Sequence, residues 1–431
     1  MSSNSFAGDK RSSVARTTGP SGARLLLVEQ FFYPEGWGGA ELPRDLAICF
    51  VRRGFRIEVI CGTEQYATVD GGDGPDPSAE GVLIRRVPRF PGGGDVHTRK
   101  VFRQLWFCGW AALRLFFRRP PDLFISQTNP PLAVPLVALA ALFWRKPSLL
   151  IAMDLYPEVL VAHGMAGGRG MLARIAGAIF GWAYRSASMV VALGPVMAER
   201  IRAKGVLDSR VVEICNWATG ALGVVRGRAN RLHTELGRGG NFVLVYSGNL
   251  GLGHEFETLL RGFAIACQQV PSLQLLFFGN GARGAEARQL ARDLKLGPSV
   301  RFSSLVSSDR LPETLGLADL GIVTLRDGFE GLIVPSKLLG YMSRGIPVLY
   351  IGPRSDVDLL ISRCGCGISI RNGDSAAVAR AIVEAHRNRE RLRDMGCAGR
   401  QAYEQGLTRE HGLSRYVSVV QACLDAGRGD D

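Results

Sequence analysis

Short continuous apolar runs alternate along this chain with stretches of helical spacing, and glycine, proline or acidic residues mark most of the joins. The first run, Arg24-Leu-Leu-Leu-Val-Glu-Gln30, has the composition of a strand buried on both faces of a parallel sheet. After it come the glycine-rich Tyr33-Pro-Glu-Gly-Trp-Gly-Gly-Ala-Glu41, a helix to about Arg53 and a strand over Arg56 to Cys61. This is a βαβ unit, whose crossover is right-handed in nearly all known sheets.

The alternation continues with a strand over Gly81 to Val87, a basic aromatic helix, a strand over Asp122 to Ser126 and a proline-rich apolar helix ending at Trp144. Ser148-Leu-Leu-Ile-Ala-Met153 is the next strand, and its C-terminal edge delivers Asp154-Leu-Tyr-Pro-Glu158. A helix over Gly170 to Ser186, a strand over Met189 to Leu193, a helix over Val196 to Lys204 and a strand over Arg210 to Ile214 complete one doubly wound domain. Between Asn216 and Gly240 the pattern dissolves into Gly, Arg and Asn, which predicts a linker. A second series opens with Asn241-Phe-Val-Leu-Val-Tyr-Ser247, turns through Gly248-Asn-Leu-Gly-Leu-Gly-His254 and enters a helix near Glu255. Strands over 273–278, 300–302, 320–325, 347–351 and 367–370 follow, with Asp374 as N-cap of a charged helix. The fold expected is α/β, with two doubly wound Rossmann-like domains facing a cleft. The expected boundaries are a disordered tail at 1–22, a first Rossmann-like domain at 23–215, a linker at 216–240, a second Rossmann-like domain at 241–408 and a last helix within 409–431 that could cross back to the first domain.

Composition agrees with two cores: 431 residues, 46% hydrophobic, with 54 glycines that suit many strand-to-helix turns. The formal net charge of +13 calls for an anionic partner: nucleic acid, a membrane surface or a phosphorylated substrate. Between Arg86 and Arg119 eight Lys or Arg residues face one acid, Asp95, interleaved with aromatic and aliphatic residues. That is the pattern of a helix lying on an anionic bilayer through the 99–119 region, or of a core helix with a solvated basic edge. The positive charge is otherwise dispersed, which argues against nucleic acid. Nine scattered cysteines show no zinc spacing and read as reduced cytoplasmic thiols. The longest apolar stretch, Pro130 to Phe143, carries three prolines and falls short of the roughly 20 residues of a membrane-spanning helix.

In doubly wound domains ligands meet the C-terminal ends of the strands, so the loops there carry the candidate chemistry. Gly38-Gly39 before a helix either lets backbone approach an anion closely or makes a plain tight turn. Gly248 to His254, with Asn249 inside it, repeats that arrangement, and His254 could donate to a phosphate or simply be structural. Pro335-Ser336-Lys337 opens a helix where a hydroxyl, free amides and a full lysine charge would meet; the alternative is an ordinary N-cap with a solvated lysine. Glu330, on a glycine-flanked loop, is free to accept from sugar hydroxyls. Asp154 and Glu158 could meet an acceptor hydroxyl as base or positioning group, or Asp154 could cap a helix.

In order along the chain, Tyr33-Pro-Glu with Gly38-Gly39-Ala-Glu41, Asn129-Pro-Pro131, Asp154-Leu-Tyr-Pro-Glu158, Asn216-Trp217, Tyr246-Ser-Gly-Asn-Leu250 with His254-Glu-Phe-Glu257, Phe278-Gly-Asn-Gly281, and Val334-Pro-Ser-Lys337 with Gly345-Ile-Pro-Val348 carry a resemblance. The chain resembles the retaining family 4 of GT-B glycosyltransferases, of the bacterial polysaccharide-cluster type. The resemblance implies a nucleotide-sugar donor, most often UDP-linked, held in the second domain by Gly248, Asn249, Gly279, Gly281, Pro335, Ser336 and Leu338. It implies that Gly38 and Gly39 approach the sugar-phosphate from the other side and that Glu41 and Glu158 face the acceptor. His254, Lys337, Glu330 and Asp154 become the catalytic candidates. No cofactor and no metal are expected, because basic groups and helix ends would neutralise the departing diphosphate.

Three departures from the family pattern stand out. The paired glutamates seven residues apart are missing, their positions falling on Leu332 and Gly340 with Glu330 two residues early; His254 replaces a basic residue; Asp154 replaces a histidine. Lys337 is the residue able to supply the missing positive charge. The expected function is sugar transfer from a nucleotide diphosphate to a lipid-linked or polysaccharide acceptor of cell-surface glycan synthesis, at the inner face of the plasma membrane and without nucleic acid. Its rivals are a nucleotide-sugar 2-epimerase or phosphorylase, and a non-catalytic nucleotide-sugar-binding subunit of the same fold.

Overall fold

The computed structural model describes residues 22–34, 38–63, 76–92, 96–164, 170–218, 241–304 and 311–428. The expected tail at 1–22, apart from Gly22, and most of the expected linker at 216–240 lie outside these residues.

Two parallel sheets organise the chain. The first contains β1 (Arg24–Val28), β2 (Arg56–Cys61), β3 (Leu83–Arg86), β4 (Leu123–Gln127), β5 (Ser148–Ile151), β6 (Met189–Ala192) and β7 (Val211–Glu213), in the order β3-β2-β1-β4-β5-β6-β7. The second contains β8 (Phe242–Ser247), β9 (Leu273–Phe278), β10 (Val300–Ser303), β11 (Leu320–Thr324), β12 (Val348–Ile351) and β13 (Gly367–Ile370), in the order β10-β9-β8-β11-β12-β13. The central strands β1, β4, β5, β8 and β11 are the continuous apolar runs of the sequence, and helices cover both of their faces. Each sheet reverses its strand order once, between β1 and β4 in the first and between β8 and β11 in the second. Crevices open at such switch points, beyond the strands' C-terminal ends.

Among the links that join the two units, three bear on the fold. The helix Arg409–Ala426 arrives from the second unit and buries Tyr416, Val420 and Cys423 in the same core as Leu25, Leu46 and Ile125 of the first. It is held there by Asp45, whose Oδ2 accepts from Trp217 Nε1 at 3.0 Å and pairs with Arg409 Nε at 3.0 Å. The second link follows β5: Asp154 forms an antiparallel bridge with Ile333, the amide of Leu155 donates to the Leu332 carbonyl at 2.9 Å, and Leu332 is buried beside Leu155 and Phe180. In the third, Asp356 of the second unit accepts from the amide of Val196 at 2.7 Å, capping the helix Pro195–Ala203 of the first. Asp374 is the N-cap its sequence position predicts, accepting from Ala377 N at 2.8 Å.

The basic aromatic segment forms the helix Val96–Phe117. Its inner face, including Phe107, Ala111 and Leu115, is buried, so part of the segment does pack into the core. Its outer face leaves Phe102, Leu105, Trp110, Leu113 and Phe117 exposed, the last at 79%. No helix among the described residues is long and apolar enough to cross a membrane.

Candidate active site

The β8–β11 switch point gathers the strongest chemistry. β8 ends at Ser247 and the chain turns through Gly248, whose φ of +127° disfavours any side chain. A Cβ there would also lie 2.7 Å from Lys337 Cε, so the glycine is what admits the lysine stem. Gly279, at φ +151°, packs under this turn where a Cβ would overlap the Gly248 carbonyl oxygen. Beside it Gly281 packs against the Leu250 carbonyl, whose own amide is held by Asn280 O at 2.8 Å.

Two arginines hold the far half of the loop by its carbonyls. Arg326 Nη1 donates to Leu252 O at 3.2 Å, and Arg283, paired with Glu286, donates to His254 O. With these carbonyls held, the amides of Asn249, Gly251, Leu252 and Gly253 are left without a partner among the described residues. They form the free donor set of the loop. The helix expected to start beside His254 begins instead at Glu257, and its first turn is capped by Glu255, whose Oε1 accepts from Thr258 N at 2.9 Å. An anion here would therefore meet loop amides, not that helix terminus.

His254 is 8% exposed, and its Nδ1 lies 2.8 Å from the Thr324 carbonyl at the end of β11. A carbonyl only accepts, so Nδ1 carries the proton. Burial, reinforced by Lys337, holds the imidazole well below its ordinary range and keeps it neutral. Its Nε2 then presents a lone pair to Lys337 Nζ, 3.2 Å away. The sequence reading of His254 as a phosphate donor gives way to a different role: it accepts from Lys337 and aims it.

Lys337, the first residue of the helix Lys337–Met342, lies with Nζ 5.0 Å from the centre of the Tyr246 ring. No carboxylate pairs with it among the described residues. Burial pulls its ammonium down to about 7, so it lacks the full, permanent charge expected from the sequence. Ser336 makes no side-chain cap bond and is exposed. Neighbouring residues at a helix start point about 100° apart. Accordingly Pro335, Ser336 and Leu338 line a separate cavity on the other side, from which Lys337 is absent.

Glu330 is not free in this arrangement. Its Oε2 accepts from the amide of Gly328 at 2.8 Å, and Oε1 lies 3.4 Å from Arg200 Nη2 of the first unit. Asp154 is half-buried at the seam, its amide 3.0 Å from Thr128 Oγ1, and loss of water pushes its carboxyl up to about 6. Glu158 opens the helix Glu158–Ala162 and pairs with Lys204. Glu41 is buried in the helix Gly38–Arg52, which Gly38 and Gly39 begin. The structure thus joins Gly248, Asn249, Gly279, Gly281, His254 and Lys337 in one cluster. Asp154 and Glu330 belong to the seam, and Gly38, Gly39, Glu41 and Glu158 to the first unit. Sequence reasoning missed Arg200, Arg283 and Arg326. Only the position of Arg283 just after Gly279-Asn-Gly281, three residues before its partner Glu286, signalled one of them.

Fold and site together have the form of a GT-B enzyme: two Rossmann-like domains with a cationic, glycine-lined crevice in the second. The "Glycosyl transferase 4-like domain" family model matches residues 38–217, and the "Glycosyl transferases group 1" model matches residues 230–402. A probable glycosyltransferase of Pseudomonas aeruginosa, WbjE, is 28% identical over 320 residues, covering 72% of this chain and 77% of the relative. A provisionally named colanic acid biosynthesis glycosyl transferase of Escherichia coli, WcaI, is 25% identical over 343 residues, covering 75% and 81% respectively. Among solved structures, Anabaena HepE in complex with UDP superposes with a TM-score of 0.69 at 15% identity, covering 93% of this chain and 100% of that one. This chain is a glycosyltransferase of the GT-B fold.

Proposed function

We propose that the enzyme moves a sugar, with retention of configuration, from a UDP-linked donor to a lipid-linked or polysaccharide acceptor in cell-surface glycan synthesis. The observation that carries this reading is Lys337: a desolvated lysine with no carboxylate partner among the described residues, aimed by His254 at the switch point beside the unpartnered loop amides. A diphosphate supplies the missing anion. Its oxygens accept from the amides of Asn249 and Gly251 and from Lys337 Nζ.

As the bond from the sugar C1 to the phosphate oxygen breaks, negative charge grows on the departing diphosphate, and the lysine is placed to neutralise it. The new bond forms from an acceptor hydroxyl approaching from the first domain, its proton passing to the oxygen of the departing diphosphate, with Asp154 at the seam to position the hydroxyl. The seat is built from donors and a cation, which suits a diphosphate without a metal. Support for UDP is the likeness to HepE, solved with UDP; support for polysaccharide synthesis is the name of WcaI. Retention rests on the family resemblance.

The acceptor reading also draws on the outer face of the first domain. The helix Ala133–Trp144 lies between Val96–Phe117 and Met171–Ser186 and packs on both. All three expose apolar side chains: Phe102 and Phe117, Leu142 and Phe143 (each 62%), Met171 and Ile175. Arg118, Arg119, Arg145, Lys146 and Arg174 belong to the same three helices or adjoin their ends, while Arg114 is paired with Glu58. An apolar face with basic neighbours fits the surface of an anionic bilayer, where a lipid-linked acceptor resides.

The test is turnover. Purified enzyme is incubated with UDP-, GDP-, dTDP- and ADP-sugars and a lipid-linked acceptor pool, following labelled sugar into the organic phase and the anomeric configuration by NMR. Nucleotide binding without turnover would establish a binding subunit, and an epimerised donor without an acceptor would establish an epimerase.

A further inference from the structure

A second cavity lies on the opposite side of the Lys337–Met342 helix start from the nucleotide seat. Its volume is about 910 Å³. Its walls come from both domains: the chain beyond β6 and β7, residues Val334 to Ser336, and the helices Asp356–Cys364, Arg389–Gly406 and Arg409–Ala426. None of Gly248, Asn249 and His254 lines it. Ile333, bridged to Asp154, lies against Gly253 of the glycine loop, while the next residue, Val334, lines the cavity.

The wall carries unused hydrogen-bonding capacity. Asp356 is 6% exposed; its Oδ1 is occupied by the Val196 amide, while Oδ2 is buried with no partner among the described residues. Asn216 Oδ1 is likewise buried and unpartnered among the described residues. A buried acceptor left unmade costs about 1–3 kcal/mol, so two on one cavity wall call for donors from whatever fills it. The charges that line the cavity are Glu213, Asp356, Arg363 and Arg415. Glu213 has Arg202 within 3.9 Å, and Asp356 faces the amide end of a helix. Arg363 and Arg415 are exposed and have no ion pair or hydrogen bond among the described residues, and both share the cavity lining with Cys215. Gln401 and Gln405 add further amides. The occupant must therefore bring hydroxyl donors for the two acceptors and one anionic group for the two guanidinium ions.

We propose that this hinge-side cavity binds a small hydroxylated anion of the sugar-phosphate or sugar-acid class. Its acid group sits on Arg363 and Arg415, and its hydroxyls donate to Asp356 Oδ2 and Asn216 Oδ1. The volume lies within the range of small-molecule sites and is ample for a monosaccharide. Because both domains supply the wall, an occupied cavity ties them together. The site is distinct from the donor seat and does not depend on the reading of that seat.

Calorimetric titration of the full chain tests it with glucose 1-phosphate, glucuronate, inorganic phosphate and glucose. Binding of glucose 1-phosphate or glucuronate is expected at one site, at least tenfold tighter than inorganic phosphate, with no detectable binding of glucose. It should persist in Lys337→Met and under saturating UDP, and weaken at least tenfold in Arg363→Ala/Arg415→Ala. Which of the two anions binds more tightly separates a phosphate from a carboxylate ligand. The two arginines are exposed, and an unchanged melting temperature of the double variant confirms its fold. Absence of binding by either anion overturns the proposal, as do displacement by UDP, loss in Lys337→Met and indifference to the arginine substitutions; in the first case water alone satisfies the two acceptors.

Discussion

The charge on Lys337 is the feature most open to direct challenge. Burial lowers its ammonium from the ordinary 10.5 to about 7, at 1.36 kcal/mol for each tenfold change in protonation, so holding the charge in the empty site costs roughly 5 kcal/mol. A folded-state value below the unfolded one means that this cost applies in full below pH 7 and fades as the pH rises toward 10.5. A bound diphosphate reverses the balance by placing negative charge beside Nζ and raising the lysine again. At pH 8 the free protein then carries about 0.1 proton on Lys337 and the complex nearly one, an uptake of roughly 0.9 proton per UDP. His254 does not contribute, because burial keeps it neutral at that pH. Calorimetric titration of UDP at pH 8, in buffers of different ionisation enthalpy, measures this uptake directly. The affinity should also fall about tenfold per pH unit above pH 7 until the lysine of the complex titrates. Lys337→Met should abolish the uptake and weaken UDP by at least tenfold. An enthalpy independent of buffer, or an uptake that survives in Lys337→Met, would refute the assignment.

Three other perturbations are as specific. Gly248→Ala brings a Cβ to 2.7 Å from Lys337 Cε at a φ of +127°; UDP affinity should drop at least tenfold while far-ultraviolet circular dichroism stays that of the wild type. Asp45→Ala leaves Trp217 Nε1 and Arg409 without their shared acceptor beneath the last helix, at a cost of about 1–3 kcal/mol, and thermal unfolding should begin several degrees lower. Replacing the exposed Phe102, Phe117 and Leu142 by serine should weaken binding to vesicles containing phosphatidylglycerol at least tenfold, leaving melting and UDP affinity as in the wild type.

The strands and the repeated βα order were legible because a central parallel strand must be apolar on both faces, and runs such as Leu244 to Tyr246 or Phe124 to Ile125 have few other uses. The two loops flanking the second switch point were legible for a related reason: a glycine at the end of such a strand is a backbone requirement visible in one dimension. What stayed hidden depended on partners distant in sequence. His254 and Lys337 lie 83 residues apart, and only their contact fixes the tautomer of one and lowers the charge of the other. Neither Arg200 against Glu330 nor Asp356 against Val196 carries a local signature, since each pairs residues of different domains. That the last helix could cross back to the first domain was foreseen, but the surface it meets there was not readable. Its apolar residues announce a buried face, but the face it meets begins at Leu25 and Asp45. The direction in which Ser336 points, away from Lys337, needed the helix start itself.

The central claim is that a nucleotide diphosphate is seated between the Gly248 turn and Lys337. A crystal structure of the enzyme with UDP tests it most directly. Phosphate oxygens within about 3 Å of the amides of Asn249 and Gly251 and of Lys337 Nζ are the predicted result. Diphosphate bound elsewhere, with Lys337 still facing only His254 and Tyr246, would contradict it.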